Sequence, residues 1–183
     1  MDIFLVRHGE AAASWGELPD PGLSDLGRQQ AEAAAQKLQQ QLGEDGALLI
    51  SSPLQRAVET AAPLSTLRQN RVQIDEAFRE IPSPVPLAQR QAWLRQFMQQ
   101  QWHEQAEDLN VWRSRALQQL LELRESAVIF THFLVINAVV GQLLERPETL
   151  YFWPANGSIT HLRHNGTDLE LVALGQELKT KVN

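Results

Sequence analysis

Ile3-Phe4-Leu5-Val6-Arg7-His8-Gly9-Glu10 decides how the chain is read. Four apolar residues stop abruptly at a guanidinium, an imidazole and a glycine. A short unbroken apolar run predicts a strand buried on both faces, as in a covered parallel sheet. In open α/β sheets, ligands gather at the carboxyl ends of the strands. Arg7 and His8 therefore stand where a pocket is expected, followed by a flexible turn at Gly9.

Two later runs repeat the arrangement. Ala47-Leu48-Leu49-Ile50-Ser51 leads into Ser52-Pro53, and Ala127-Val128-Ile129-Phe130-Thr131 ends in His132. Between the first two strands lie a loop, Ala11 to Gly22, in which Trp15 is the one large side chain, and a helix over Asp25 to Leu42. Ser24 is its expected N-cap, and the segment Gly43 to Gly46 breaks it. Ser52-Pro53 predicts a helix start with Arg56 in the first turn, and Pro63 should kink or interrupt that helix. Val72 to Asp75 fits a third strand, and Ile81 to Pro86 a rigid proline-rich connector.

Helical periodicity resumes over Leu87 to His103 and Glu107 to Glu125, then over the apolar stretch Leu134 to Leu144. Two final strands, Ser158 to Arg163 and Leu169 to Leu174, are joined at Asn165-Gly166. The alternation predicts an α/β fold: a three-layer α/β/α sandwich with a mostly parallel central sheet. A helical insertion, about residues 86–125, is expected over the active-site edge of a single domain spanning residues 1–183.

Composition narrows the function. With 183 residues, a net charge of -6 and a pI near 5.4, the chain has no basic surplus for nucleic acid. It has no cysteines, which excludes disulfides and thiolate metal sites. No apolar run reaches membrane-spanning length, and the N-terminus does not read as a signal peptide. A cytoplasmic protein without a membrane partner is expected.

Three strand ends on one sheet edge would bring Arg7, His8, Arg56 and His132 together. Singly, such residues are more often structural or surface groups. Two arginines and two histidines around one pocket, beside helix N-termini, make an anion site suited to phosphate.

The motifs also carry a resemblance. Arg7-His8-Gly9-Glu10 resembles the signature of the histidine phosphatase superfamily, the phosphoglycerate-mutase-like proteins. Leu23-Ser24-Asp25-Leu26-Gly27-Arg28-Gln29-Gln30-Ala31 is similar to the family's segment after the active-site loop. Ser51-Ser52-Pro53-Leu54-Gln55-Arg56-Ala57-Val58-Glu59-Thr60-Ala61 resembles its second signature. Val128 to His132 matches the strand ending in its second histidine. The resemblance implies His8 as the nucleophile that accepts the phosphoryl group, and Arg7, Arg56 and His132 as the phosphate-binding groups. It implies no cofactor and no metal, because these side chains supply the positive charge. Ala77-Phe78-Arg79-Glu80-Ile81 resembles the segment bearing the general acid, which makes Glu80 the candidate and Glu76 the fallback.

Some positions depart from the family's pattern. Ala11 stands where threonine or serine is usual, the loop from His8 to Leu23 is short, Phe133 replaces a glycine, and Asn137 an arginine. These changes bear on substrate choice. The resemblance implies a phosphatase acting on a small phosphorylated metabolite. Competing possibilities are a mutase-type phosphoryl transferase, a phosphohistidine phosphoprotein phosphatase, and a non-catalytic phosphate-binding module. Asn156-Gly157-Ser158 is read as a turn. Trp93, Phe97, Trp102 and Trp112 are read as packing between helices rather than lining a substrate mouth. His103, His161 and His164 lack partners at metal-ligand spacing.

Overall fold

A computed structural model describes residues 1–14, 17–43 and 46–178. Trp15 and the middle of the Gly43–Gly46 break lie outside them.

Six strands form one sheet in the order β3-β2-β4-β1-β5-β6. β1 (Asp2–Arg7) and β4 (Ala127–Thr131) pair in parallel, with Arg7 opposite Thr131. β2 (Leu48–Ser51) lies parallel between β4 and β3 (Val72–Ile74). β5 (Ile159–His164) and β6 (Leu169–Ala173) extend the other side in antiparallel pairing. The parallel register brings the ends of β1, β2 and β4 to one edge, as the apolar runs implied.

Side chains alternate across the pleat. Ile3, Leu5, Ile50 and Ile129 face α4 (Glu107–Leu121) and α5 (Phe133–Leu143). Phe4, Val6, Leu49, Val128 and Phe130 face α1 (Asp25–Gln41) and α2 (Gln55–Arg68). That is the expected three-layer α/β/α arrangement. Ala31, Ala34 and Ala35 of α1 are all buried; their small side chains let the helix lie close to its neighbours. α5 is buried along nearly its whole length, which matches a helix apolar on all sides.

The segment expected as an insertion divides between two roles. α3 (Leu87–Phe97) lies over the pocket, and its Leu94 and Phe97 pack with Trp102, Leu109 and Phe133. α4 instead covers the sheet through Ala116 and Leu120. Phe97 packs tilted against Trp93 and edge-to-face with Trp102, and Trp102 stacks on Trp112, so these rings serve packing.

Several boundaries differ from expectation. α3 ends at Phe97, not His103, because Thr149 Oγ1 donates to the carbonyls of Phe97 (2.6 Å) and Gln100 (3.0 Å) and turns the chain. α4 stops at Leu121, short of Glu125. α2 continues through Pro63 without interruption. It also begins after Ser52-Pro53, at Gln55, and takes its cap from a distant loop: Asp20 Oδ1 accepts from the Gln55 N–H at 2.9 Å. Ser24 does cap α1, accepting from Gly27 N at 3.0 Å. The final hairpin is longer than an Asn-Gly turn. Asn165 Oδ1 accepts from Thr167 N and Asp168 N, and Gly166 takes φ +108°. Among the described residues no helix is long and apolar enough to cross a membrane.

Candidate active site

The strand ends and the loops beside them frame an open pocket of about 710 Å³, lined by Arg7, His8, Arg56, Glu80 and Asn156 among others. His132 is fully buried and not among the lining residues, but its ring centroid lies 5.2 Å from that of His8.

Backbone and side chain both fix His8. Its N–H donates to the Thr131 carbonyl at 3.0 Å, and its own carbonyl accepts from Asn156 Nδ2 at 3.1 Å. The ring Nδ1–H donates to the Gly9 carbonyl at 2.7 Å. That bond leaves the lone pair on Nε2, to which Arg56 Nε donates at 3.2 Å. Burial, then the Arg56 and Arg7 charges, hold the His8 pKa well below the ordinary imidazole value. The ring is therefore neutral at neutral pH.

Two glycines make this placement possible. A Cβ on Gly9 would strike the backbone of Gly27, and one on Gly27 would strike Glu10. The loop after His8 thus rests directly on the first turn of α1. Ser24 fastens the contact, its N–H donating to the Glu10 carbonyl (2.9 Å) and its hydroxyl to the Glu10 carboxylate (2.7 Å). Thr60 Oγ1, one turn after Arg56 on α2, accepts from Gly9 N at 3.0 Å. Glu59 Oε2 accepts from Leu23 N at 2.7 Å.

Arg7 is buried. Its Nη1 donates to the Pro154 carbonyl at 2.6 Å, and its guanidinium lies over the Phe133 ring at 5.1 Å. Burial brings its pKa down to about 10, so it stays cationic at neutral pH. Arg56 is buried as well, and its Nη1 lies 3.8 Å from the exposed Asp20 carboxylate. His132 Nε2 shares a 2.7 Å hydrogen bond with Ser52 Oγ. The hydroxyl expected to cap a helix is thus engaged by the second histidine. Burial, then Arg56, lowers the His132 pKa well below the imidazole value. Two buried nitrogens, His132 Nδ1 and Arg7 Nε, have no hydrogen-bond partner.

Glu80 is 9% exposed. Its Oε1 accepts from Ile81 N at 2.9 Å and its Oε2 from Leu134 N at 3.5 Å. Burial raises its pKa against the pull of these bonds and of Arg56 and Arg90. Long-range donors clamp the segment. Thr131 Oγ1 donates to the Phe78 carbonyl (2.8 Å), Trp112 Nε1 to Arg79 (3.0 Å) and Arg90 Nη2 to Ile81 (3.0 Å). Glu76 points elsewhere: it is exposed and paired with Arg79 at 2.6 Å.

All five predicted residues, Arg7, His8, Arg56, Glu80 and His132, are thus brought together. Asn156-Gly157-Ser158 is a turn, with Gly157 at φ +71°, yet it also faces the pocket through Asn156. Ser52 stands among the polar strand ends the sequence brings here, read there as a helix start; Thr60 and Asp20 were missed. Thr60 alone had a signal, its i+4 spacing from Arg56. Asn137, buried in α5, donates to the Phe133 and Phe152 carbonyls at 3.0 Å and accepts from Tyr151 N and Phe152 N. It is not among the pocket's lining residues. Among the described residues no three His, Cys, Asp or Glu side chains gather as a metal site.

The sequence pattern of the histidine phosphatase superfamily (branch 1) matches residues 3–177. A glucosyl-3-phosphoglycerate phosphatase from Mycolicibacterium vanbaalenii is 38% identical over 82 residues, 43% of this chain and 35% of that protein. An uncharacterized protein of Mycobacterium tuberculosis is 40% identical over 77 residues, covering 40% of this chain and 37% of its own length. The matched stretch thus spans little more than a third of either relative. Among solved structures, a mycobacterial glucosyl-3-phosphoglycerate phosphatase complexed with VO3 superposes with a TM-score of 0.69 at 25% identity, over 93% of this chain and 96% of that one. A phosphoserine phosphatase from Entamoeba histolytica, in complex with 3-phosphoglyceric acid, shares the fold with a TM-score of 0.75 at 24% identity, over 96% of each chain.

Proposed function

The chain belongs to the histidine phosphatase superfamily, branch 1, and from that membership we propose that it hydrolyses a phosphomonoester through a phosphohistidine on His8. The observation that carries the proposal is the state of the His8 ring. Its Nδ1–H is committed to the Gly9 carbonyl, so the Nε2 lone pair faces a guanidinium-lined pocket.

The substrate phosphoryl takes the place of the Arg56–His8 contact. Nε2 attacks phosphorus as the P–O ester bond breaks, while Arg7, Arg56 and His132 hold the equatorial oxygens and their growing charge. Glu80, whose pKa burial raises, gives its proton to the leaving alcohol oxygen. Water then attacks the phosphohistidine. The Glu80 carboxylate accepts the water's proton, the N–P bond breaks, and inorganic phosphate leaves with His8 restored. The cationic side chains meet the need for charge that a metal fills elsewhere, so the reaction is metal-independent. A buried acid matters for an alcohol leaving group and far less for phosphohistidine, which favours a small phosphomonoester over a phosphoprotein. We take residues 1–183 as one catalytic domain acting in the cytoplasm.

Turnover of p-nitrophenyl phosphate in the presence of EDTA tests this. Wild type is expected to release phosphate, form an acid-labile phosphoenzyme and lose both properties as His8→Ala. Equal activity in the two proteins, or strict dependence on added metal, overturns the proposal.

A further inference from the structure

Two arginines beyond the phosphate-binding pair face the pocket, Arg79 and Arg90. They differ in what already holds them. Arg79 is engaged by Glu76 through both Nε (2.6 Å) and Nη2 (3.2 Å). Arg90 has no carboxylate within 4.0 Å among the described residues. Its one hydrogen bond among the described residues is from Nη2 to the Ile81 carbonyl, at 3.0 Å. It is a half-buried cation with most of its fork of N–H donors unspent.

Its location fixes what it can meet. Ile81 follows Glu80 directly, so Arg90 stands on the side from which the alcohol leaves. Leu87, Arg90, Gln91 and Leu94 all line the pocket. Their spacing puts them on one stripe of α3, with a cation and an amide set between two leucines. Arg7 comes from the end of β1 and Arg56 from the first turn of α2 beside His8, whereas Arg90 comes from the covering helix. The Arg90 charge acts on Glu80 as well as on Arg56.

We propose that Arg90 is a specificity-determining residue, the core of a second anion subsite that takes a carboxylate or second phosphate on the alcohol portion of the substrate. The inference rests on the phosphatase reading and names its substrate class: small anionic alcohols phosphorylated on a hydroxyl.

The test is a ratio. kcat/KM is measured for 3-phosphoglycerate and for 1,3-propanediol bisphosphate, each divided by that for glycerol 2-phosphate, whose alcohol portion is neutral. Wild type is expected to favour at least one anionic substrate by about tenfold or more, as a charge-assisted hydrogen bond allows. The numerator that rises identifies carboxylate or phosphate as the group read. Arg90→Met should collapse that ratio, chiefly through KM, and Arg90→Lys should restore part of it. A ratio unchanged in Arg90→Met, even if all rates fall together, overturns the subsite. So does a wild type with no preference. If wild type hydrolyses none of the compounds, the phosphatase reading fails instead. Calorimetric binding of the same three compounds to wild type and Arg90→Met then decides the subsite alone, by the same ratio.

Discussion

His8 and Arg90 face one pocket, yet the chain holds them in opposite ways. His8 is 4% exposed, with its backbone N–H, its carbonyl and its Nδ1 all bonded to neighbours. It sits at the end of a central strand paired on both sides. Arg90 is half-buried on an eleven-residue helix, joined through a proline-rich connector and held by one bond to a carbonyl. Group transfer needs reacting atoms fixed within fractions of an ångström, which strand ends locked by register can supply. Selection among alcohols needs only a charge at the right side of the pocket, and a covering helix can supply that and vary.

The contrast can be broken from the rigid side first. Arg56→Met should lower kcat/KM about 10²–10³-fold, the usual cost of removing one preorganised donor to transferring charge. Steady-state assay with p-nitrophenyl phosphate reads it, and a fall of only a few-fold would place Arg56 outside the reaction.

Glu80→Gln should slow alkyl phosphates on the order of 10²-fold, and p-nitrophenyl phosphate less, because nitrophenolate leaves without a proton. The pH profile carries a sign. Burial raises the Glu80 pKa, so the acid form persists above the usual carboxyl range and the rate falls as pH rises through it. The lowered His8 pKa keeps the nucleophile neutral below the usual imidazole range, so activity persists into mildly acidic solution. Glu80→Gln should flatten the alkaline limb and leave the acid limb intact. An unchanged alkaline limb would remove Glu80 from the role.

Gly27→Ala probes the seat beneath His8. The new Cβ would meet the Glu10 backbone, and the strain should cost about 1–3 kcal/mol, despite alanine's better helix propensity. Thermal denaturation should show a lower Tm, and a stabilised variant would contradict the close approach. The smallest effect is expected at the rim. Asp20→Ala removes the carboxylate that caps α2, at about 1 kcal/mol, and leaves His8 itself untouched. Urea unfolding reads the loss, and none at all would mean the cap contributes nothing.

What could be seen in the sequence followed a physical divide. β1, β2 and β4 were legible because each is an apolar run of strand length that ends abruptly in polar groups. Arg7, His8 and His132 were legible with them, since a residue at a strand end needs no distant partner to be placed. Arg56 was legible through its place after Ser52-Pro53; Ser52 Oγ does accept from Leu54 N at 3.3 Å, although α2 starts only at Gln55. Ser52 looked like a local helix start, and only the approach of His132, eighty residues later, gave its hydroxyl another partner.

The sequence by itself determined the order of strands and helices, the polar strand ends and four residues that meet there, Arg7, His8, Arg56 and His132, because periodicity and strand termination are local properties of the chain; Glu80 was reached only through the family resemblance, beside Glu76. Tertiary structure alone decided the rest. It set where α3 ends, through Thr149, which residue caps α2, through Asp20, and that Glu80 rather than Glu76 is buried. It also left Arg90, bonded to the Ile81 carbonyl, with no carboxylate within 4.0 Å among the described residues. Each of these depends on a donor, an acceptor or a desolvating neighbour tens of residues away, and burial is a property of the assembled layers that no short stretch of chain contains.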